Sequence, residues 1–234
     1  MSRTVVIHQP DFAPYMGFFH RFLHADLYVV LDHVQFVTNT SKSWTHRDKI
    51  KTAKGEKWLT LGVKKPPLAT PINQVELSDD LKWIDSNLAL LHENYRKSQG
   101  YSEVMPIVEQ LYRTTPTGKM VDFNIKWLEV FAEILDVRIP FVLSSTLEPS
   151  GQKNELLIGL LQKVDATHYL SGTGARAYMD PEKFSQAGIE LKWQSFSHPE
   201  YPQQHGPFIP YLSILDALLN CGITKTRDLL RRSK

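Results

Sequence analysis

The chain has 234 residues, of which 42% are hydrophobic, 11% aromatic and 22% charged. This composition is typical of a folded globular protein and excludes a disordered or collagen-like chain, while the length excludes a large multidomain protein. Lysine and arginine total 27 against 25 acidic residues, so the formal charge of +2 gives no support to extensive binding along a nucleic-acid backbone.

The sequence also limits the cellular location and the kinds of metal site that we expect. One cysteine, Cys221, excludes an internal disulfide and a cysteine-based zinc site. The amino-terminal segment lacks an apolar run of signal-peptide length, and no window approaches the ~20 apolar residues that span a bilayer. The pair His20 and His24 lacks a third ligand. We therefore expect a cytoplasmic protein with no metal site, no membrane span and no nucleic-acid partner.

The amino-terminal elements predict a βαβ unit. Residues 4–7 are β-branched, as in a buried strand, and a loop with two prolines follows them. Residues 15–25 have a helical pattern, and residues 27–31 form an apolar strand that suits a parallel sheet covered on both faces. Strand, loop, helix and strand within about 30 residues make such a unit.

The middle of the chain is predicted to be mainly helical. Residues 38–57 are polar and basic and suit a surface loop or a short hairpin, which a strand at 58–63 follows. Helical periodicity then covers residues 81–95, 103–112 and 120–135.

Strands and helices alternate again in the last part of the chain. The predicted elements are strands at 141–144, 169–170 and 189–193, helices at 154–164 and 211–219, and a short helix from the turn at 171–174 to residue 178. Gly222 suits a C-cap of the closing helix. The predicted fold class is therefore α/β, with a Rossmann-like, mostly parallel sheet and a helical section near residues 80–136, in a single domain over residues 1–234.

The ends of the first two predicted strands carry candidate catalytic groups. His8 and Gln9 follow the first strand, where open α/β sheets bind ligands. Asp32 follows the second strand and is predicted to face His8 and set its tautomer, because adjacent parallel strands end at the same edge. The alternative for His8 is a buried histidine with a structural role.

The basic stretch after the second strand suits an anionic ligand. Arg47 and Lys49 match a phosphate or carboxylate, and Trp44 suits stacking on a ring. A solvated basic face is the favoured interpretation for the remaining lysines, Lys51, Lys54 and Lys57.

Two later segments add further candidates. Ser171, Gly172 and Gly174 form a small-residue turn between a strand and a helix, which suits either an anion nest or a tight turn without a ligand. Residues 198–210 are rich in His, Tyr, Gln and Pro, as in loops that line polar pockets, and His198 is the second catalytic candidate. Cys221 suits packing better than nucleophilic attack. Asp216 suits either a structural role or the pocket.

Five strings occur together in one order: IHQPDFAPYMGFFHR, VVLDHVQF, WTHRDKIK, YLSGTGARAYMD and FSHPEYPQQHGPFIPYLSILDALLNCG. Together they resemble the WbqC-like family over most of the chain. That family more usually has DDVQF in the second string, whereas His33 follows Asp32 here. The resemblance implies a bacterial cytoplasmic protein associated with O-antigen, surface-polysaccharide or glycoconjugate biosynthesis.

The resemblance also implies a function in that biosynthesis, acyl or aminoacyl transfer onto an amino sugar or its nucleotide. His8 or His198 would then act as general base, Arg47, Lys49 and the turn at 171–174 would hold phosphates, and aromatic rings would face the sugar or base. Two alternatives stay open, an ATP-dependent ligase or nucleotidyltransferase-like enzyme and a non-catalytic sugar-binding module. The candidate co-reactants are ATP or an acyl donor.

The predicted site comprises two sets of residues. The catalytic set is His8, Asp32 and His198. The substrate-binding set is Gln9, Gln35, Asn39, Trp44, His46, Arg47, Lys49, Ser171, Gly172, Gly174, Tyr178, Tyr201 and Gln203.

Overall fold

The computed structural model describes residues 2–38, 43–114 and 118–233. The strands in these ranges are β1 (Thr4–His8), β2 (Leu27–Val30), β3 (Arg47–Thr52), β4 (Gly55–Thr60), β5 (Phe141–Leu143), β6 (His168–Ser171) and β7 (Glu190–Trp193). The helices are α1 (Met16–His20), α2 (Lys82–Tyr95), α3 (Tyr101–Thr114), α4 (Met120–Ile134), α5 (Lys153–Lys163), α6 (Pro181–Gln186), α7 (Ile214–Cys221) and α8 (Ile223–Arg232).

Five strands form one parallel sheet in the order β5-β2-β1-β6-β7. Its central strand β1 carries Val5, Val6 and Ile7, which are at most 5% exposed. Their β-branched side chains suit the pleated surface, and burial on both faces explains why the run is apolar without alternation. The predicted α/β class with a Rossmann-like, mostly parallel sheet is confirmed.

The connections of this sheet reverse direction between β1 and β6. From β1 the chain runs outward through β2 to β5, and it then crosses over to β6 and β7 on the other side of β1. Such a reversal leaves a crevice at the carboxyl ends of the two strands, where doubly wound sheets bind their ligands. The residues that follow β1 and β6 therefore lie where a site is expected.

The predicted helical section is present as α2, α3 and α4. Its aromatic residues pack with the loop after β1, since the ring centroids of Phe12 and Trp127 lie 5.0 Å apart. Asn124 of α4, which is fully buried, donates hydrogen bonds from Nδ2 to the carbonyls of Pro10 and Thr45. The helical section thus fixes the loop that follows β1.

The predicted hairpin is also present, and it corrects one interpretation. β3 and β4 pair antiparallel from Arg47 opposite Thr60 to Thr52 opposite Gly55. Lys51, expected on a solvated face, is 3% exposed, and its Nζ donates to the carbonyls of Gly206 and Pro207. The distant segment that covers the hairpin buries this lysine, whereas Lys54 and Lys57 are exposed as predicted.

Several predicted boundaries were wrong. The helix expected at 15–25 is α1 followed by a 3-10 turn at Arg21–His24, and the helix expected after the small-residue turn is only a 3-10 turn at Thr173–Ala175. The closing helix begins at Ile214 rather than at 211, because the hydroxyl of Ser213 caps it by accepting from the Leu215 amide. Helix α8 was missed, since Gly222 ends α7 and α8 follows at once.

No helix in the described part of the chain is long and apolar enough to cross a membrane.

Candidate functional site

The carboxyl ends of β1 and β6 bring two predicted groups to one edge of the sheet. His8 ends β1 and Ser171 ends β6, and the two strands pair directly. Tyr28 of β2 lies against this edge, where its hydroxyl donates to the carbonyls of His8 and Gln9 at 3.2 and 3.1 Å. We call this edge, together with Arg21, Asp11 and Gly172, the switch-point site.

A buried arginine lies at the switch-point site. Arg21 begins the 3-10 turn after α1 and is 4% exposed. Its guanidinium carbon lies 4.9 Å from the ring centroid of Phe18, and its Nη1 lies 3.9 Å from the point that a Cβ on Gly172 would occupy. Within the described residues its buried Nε has no hydrogen-bond partner, and none of the ion pairs there includes Arg21.

Asp11 is the carboxyl group closest to His8 in this site. Asp11 is 6% exposed, and its Oδ2 lies 3.5 Å from Nδ1 of His8. Burial raises the pKa of Asp11 to about 7, although the charge of Arg21 and a hydrogen bond from Thr45 both oppose the rise. A carboxyl group with a pKa near 7 can take or release a proton at neutral pH.

The pKa of His8 is shifted in the opposite direction to that of Asp11. Burial, together with the charge of Arg21, lowers the pKa of His8 to about 3. Its Nδ1 lies 3.0 Å from the carbonyl of Gln9, and its ring meets Phe18 edge-on at 5.1 Å. His8 is therefore neutral at pH 7 and is a weak base in this state.

Two more titratable groups lie near Asp11, the buried Asp48 and the partly buried Tyr15. Asp48 of β3 is 3% exposed and its pKa is raised by burial and by the neighbouring charge of Asp11. Tyr15 lies in the field of both carboxyl groups and of Arg21, and burial raises its pKa as well. Acidic groups with raised pKa values thus lie together between the loop after β1, the hairpin and α1.

Asp32 does not orient His8 as the sequence predicted. Its carboxylate accepts from Ser144 Oγ at 2.8 Å, from the amide and hydroxyl of Ser145 at 2.9 and 2.6 Å, and from Asn73 Nδ2 at 3.1 Å. Burial alone would raise the Asp32 pKa, but these hydrogen bonds lower it overall. Adjacent strand ends did meet at one edge, yet the loop after β5 and Asn73 supplied the partners of Asp32.

The hairpin residues form a separate aromatic and basic cluster. The ring centroids of Trp44 and Trp58 lie 5.4 Å apart, and the guanidinium carbon of Arg47 lies 4.2 Å from the Trp58 ring. Lys49 pairs with Glu56 at 2.7 Å. Arg47 and Lys49 therefore already have partners on the hairpin face.

The remaining predicted binding residues of this half differ in exposure. His46 is buried, its Nδ1 lies 3.2 Å from the hydroxyl of Ser43, and burial lowers its pKa to about 4. Gln9 accepts from Thr45 at 3.0 Å. Gln35 is exposed and bridges Pro71. Asn39 lies outside the described residues.

The small-residue turn divides into a buried and an exposed part. Ser171 is 4% exposed, and its carbonyl accepts from the Gln194 amide at 2.8 Å. Gly172 faces Arg21, whereas a Cβ on Gly174 would meet no atom of the described residues within 4 Å. Tyr178 is 65% exposed. Of the four predicted residues in this turn and after it, only Ser171 and Gly172 are placed at the switch-point site.

The segment at 198–210 mainly holds the structure together. Tyr201 and Gln203 donate to Oδ2 of the fully buried Asp216 at 2.9 and 2.8 Å, and Tyr95 donates to its Oδ1 at 2.5 Å. We call Asp216 with these three donors the Asp216 network. It assigns Asp216 a structural role and occupies two predicted substrate-binding side chains.

His198 lies on the same segment in an aromatic environment. Its Nδ1 lies 3.0 Å from the Pro199 carbonyl, and its ring centroid lies 5.2 Å from that of Tyr211. Burial lowers its pKa, and Nε2 has no hydrogen-bond partner within the described ranges. His198 stays a catalytic prediction.

The sequence profile of the WbqC-like protein family matches residues 9–228. The chain belongs to this family. A Mycobacterium tuberculosis relative, "Uncharacterized protein Rv1507c", is 28% identical over 230 residues, which is 98% of each chain. No solved structure matches the chain.

The family match includes the buried core of the switch-point site. Arg21, Asp11 and Gly172 all lie inside the matched range, which begins one residue after His8. Arg21 and Asp11 are not among the site residues that the sequence predicted. Both occur in the first string of the family resemblance, and that was the available signal.

Two other features of this WbqC-like chain do not extend the site. Among the described residues, no cluster of three or more His, Cys, Asp or Glu side chains is arranged to hold a metal ion. A cavity of about 330 Å³ is lined by Glu103, Cys221 and Lys225 at the junction of α7 and α8. Burial raises the pKa of Cys221, which fits packing rather than nucleophilic attack.

Proposed function

We propose that this WbqC-like chain is a group-transfer enzyme that binds a phosphate-bearing substrate at the switch-point site. Its reaction is acyl or aminoacyl transfer onto the amine of a sugar nucleotide for surface-polysaccharide or glycoconjugate synthesis. The observation that carries the proposal is Arg21, a buried cation without an ion-pair partner in the described part of the chain, placed at the reversal of strand order.

The electrostatics of Arg21 favour an anionic ligand. Burying a charged group costs several kcal/mol even after relaxation, so an unpaired buried guanidinium is expected where a ligand supplies the counter-charge. Because the pKa of Asp11 is about 7, that carboxyl carries only part of a negative charge at neutral pH. The site therefore keeps an excess of positive charge that a phosphate group neutralises.

The backbone near Arg21 leaves room for such a group. Gly172 has no side chain, and among the described residues, chain neighbours aside, the only atom within 4 Å of its missing Cβ position is Nη1 of Arg21. A phosphate oxygen in this space would meet both the guanidinium and the turn that follows β6. This placement matches the way doubly wound sheets bind phosphates at their switch point.

The experiment is a calorimetric binding screen with matched arginine variants. The ligands are nucleotide-linked amino sugars, ATP with and without Mg²⁺, coenzyme A thioesters and inorganic pyrophosphate. We expect a nucleotide-linked amino sugar to bind, and Arg21→Met to weaken it about 10–150-fold, the worth of a charge-assisted hydrogen bond.

Arg176→Met is the matched control, because Arg176 is an exposed arginine only four residues from Gly172 and packs over Trp193. It should bind like the wild type. Equal weakening by both substitutions would contradict a specific Arg21 site. Tight binding without turnover, with an acyl donor present, would instead favour a non-catalytic sugar-binding module.

An ATP-dependent ligase or nucleotidyltransferase is a second candidate. The order β5-β2-β1-β6-β7 also suits a nucleotide bound at the switch point, and Asp48 lies in the field of Asp11, so two acidic groups lie near the proposed phosphate position. Binding of ATP that requires Mg²⁺, with no response to sugar nucleotides, would favour this function over sugar acylation.

A further inference from the structure

We propose that His33 is the general base that takes the proton from the acceptor amine, with Ser144 and Asp32 as its positioning residues. The inference rests on the proposed group transfer and names the proton acceptor within it. It starts from the hydrogen bonds at the carboxyl ends of β2 and β5, next to the switch-point site.

The hydroxyl of Ser144 fixes the tautomer of His33. Ser144 Oγ donates its single hydrogen to the ionised carboxylate of Asp32 at 2.8 Å, and it accepts from the Asp32 amide at 3.1 Å. His33 Nδ1 lies 2.6 Å from the same oxygen. The ionised carboxylate is a stronger acceptor than a neutral imidazole nitrogen, so the Ser144 hydrogen goes to Asp32. Because the hydroxyl has no second hydrogen to give, we infer that Nδ1 of His33 carries the proton and donates to Ser144 Oγ.

The other ring nitrogen is then free to act. With the proton on Nδ1, Nε2 of His33 presents a lone pair, and in the described part of the chain it has no hydrogen-bond partner. The side chain is partly exposed, so a substrate can reach it. Burial lowers the His33 pKa while the charge of Asp32 raises it, which leaves the imidazole neutral at pH 7.

The other two histidine candidates lack this support. Nδ1 of His8 lies 3.0 Å from the Gln9 carbonyl and 3.5 Å from Oδ2 of Asp11, whose pKa of about 7 leaves it only partly ionised at neutral pH. Nδ1 of His198 faces the backbone carbonyl of Pro199. His8 has a pKa of about 3, too low for an efficient base at neutral pH. Of the three, only His33 is held by a hydroxyl that is itself held by an ionised carboxylate, the arrangement that orients catalytic bases.

His33 and the switch-point site belong to one edge of the sheet. β2 pairs with β1 from Val5 opposite Leu27 to His8 opposite Val30, and His33 follows three residues later. The Tyr28 hydroxyl lies in the electrostatic field of Asp11, Arg21 and Asp32 alike. In this proposal a substrate whose phosphate binds Arg21 extends along the edge that carries His33.

The chemical step balances with an activated acyl donor such as a thioester. The amine lone pair forms the new C–N bond to the acyl carbon, and the amine proton passes to Nε2 of His33. The bond from the acyl carbon to sulfur breaks, and its electron pair leaves with the thiolate. His33 then returns the proton to that thiolate, so the base is regenerated.

The first test needs no ligand. Imidazole nitrogens of ¹⁵N-histidine-labelled protein are assigned by long-range ¹H–¹⁵N NMR in the wild type, Ser144→Ala and the control His24→Gln, which alters an exposed histidine. We expect His33 with its proton on Nδ1 in the wild type and in the control. Ser144→Ala should shift the proton towards Nε2. A proton on Nε2 of His33 in the wild type would overturn the proposal.

The second test uses the sugar nucleotide that the binding screen identifies. Diethyl pyrocarbonate modifies unprotonated imidazoles, and peptide mass spectrometry reports each histidine separately. Saturating ligand should protect His33 and leave His24 modified. Unchanged modification of His33 in the saturated protein would overturn its contact with substrate.

Turnover separates the two proposals. His33→Gln should lower kcat about 10²–10⁴-fold with little change in KM, whereas Arg21→Met should mainly raise KM. Normal kcat in His33→Gln overturns the base and leaves the transferase intact. No binding of any sugar nucleotide removes the proposed function, and the role of His33 fails with it even if its tautomer is as expected.

Discussion

Two buried carboxyl groups in this chain have very different surroundings. Asp216 is fully buried and accepts three hydrogen bonds, from Tyr95, Tyr201 and Gln203, at 2.5–2.9 Å. Asp11 is 6% exposed, and within the described residues the one hydrogen bond that its carboxyl group accepts is a long contact of 3.4 Å from Thr45. A buried polar group with all its partners present has a structural role, whereas one without them needs another explanation.

The neighbouring cations differ in the same way. Lys51, next to the Asp216 network, donates to three oxygens of the segment at 198–210. Arg21, next to Asp11, leaves its Nε without a partner in the described ranges. The Asp216 region therefore has its buried polar groups satisfied, whereas the Arg21 region has unsatisfied ones, and we propose that a ligand satisfies these.

The largest expected effect comes from breaking the Asp216 network. Asp216→Ala leaves three buried donors without an acceptor and should lower the free energy of unfolding by about 4 kcal/mol. Urea denaturation monitored by tryptophan fluorescence measures it. The control Asp79→Ala removes an exposed carboxylate paired with Lys64 and should change little. Equal losses in both variants would end the structural assignment of Asp216.

The next effect is the pH dependence that Asp11 imparts to stability. Its pKa is raised from 3.8 to about 7 on folding, so between these values the unfolded carboxyl is ionised while the folded one stays protonated. The stability contribution is therefore greatest below pH 4 and falls as pH rises to 7, by on the order of 3 kcal/mol. Urea denaturation of the wild type and Asp11→Asn at pH 4–7.5 gives the difference.

Asp48 and Asp216 also have raised pKa values, so the variant retains part of the slope. Asp11→Asn should lose the part of the pH dependence that Asp11 causes. Its free energy of unfolding should therefore increase relative to that of the wild type as pH rises. A constant difference across this range would show that Asp11 is ionised normally in the folded protein.

Sequence patterns predicted the sheet better than the site. The β-branched run of β1 and its spacing to β2 are local features, and they correctly placed His8, Gln9 and Ser171 at strand ends. The burial of Arg21 is not local, because an arginine in a helical pattern normally faces water. Its neighbour Gly172 lies about 150 residues away in sequence, so no short window contains the pair.

The burial of Lys51 also depends on residues that are distant in sequence. This lysine belongs to a basic run, and its oxygen partners lie more than 150 residues away along the chain. The run predicted a solvated face correctly for its neighbours and wrongly for the residue that the later segment covers. Similarly, the partners of Asp32 come from the loop after β5 and from Asn73, beyond any pattern around the second strand.

A smaller effect should follow the loss of the Lys51 contacts. Lys51→Met keeps the apolar stem but leaves the carbonyls of Gly206 and Pro207 without their donor, which should cost about 2 kcal/mol. The matched control is Lys57→Met on the paired strand, whose side chain is exposed. The denaturation midpoint of the control should match the wild type. Unaltered stability in Lys51→Met would show that the segment at 198–210 is held without this lysine.

The smallest expected change in stability is that of Arg21→Met. If the fold needed Arg21 as it needs Asp216, this substitution would lower the free energy of unfolding by several kcal/mol. Because the guanidinium is buried and its Nε lacks a partner within the described residues, an apolar side chain of similar length should leave stability within about 1 kcal/mol of the wild type or raise it. Removing the charge should also raise the Asp11 pKa further, since Arg21 lowers it.

Arg21→Met should therefore affect the ligand response without affecting stability. Arg21→Met should unfold at a urea concentration close to that of the wild type, yet lose the stabilisation that a bound sugar nucleotide gives, about 2.7 kcal/mol at a ligand concentration of 100 times Kd. Lys51→Met should do the reverse, with lower stability and an unchanged ligand response. If Arg21→Met instead lost stability and kept the ligand response, Arg21 would belong with Asp216 among the groups that hold the fold, because the anion would then be bound without it.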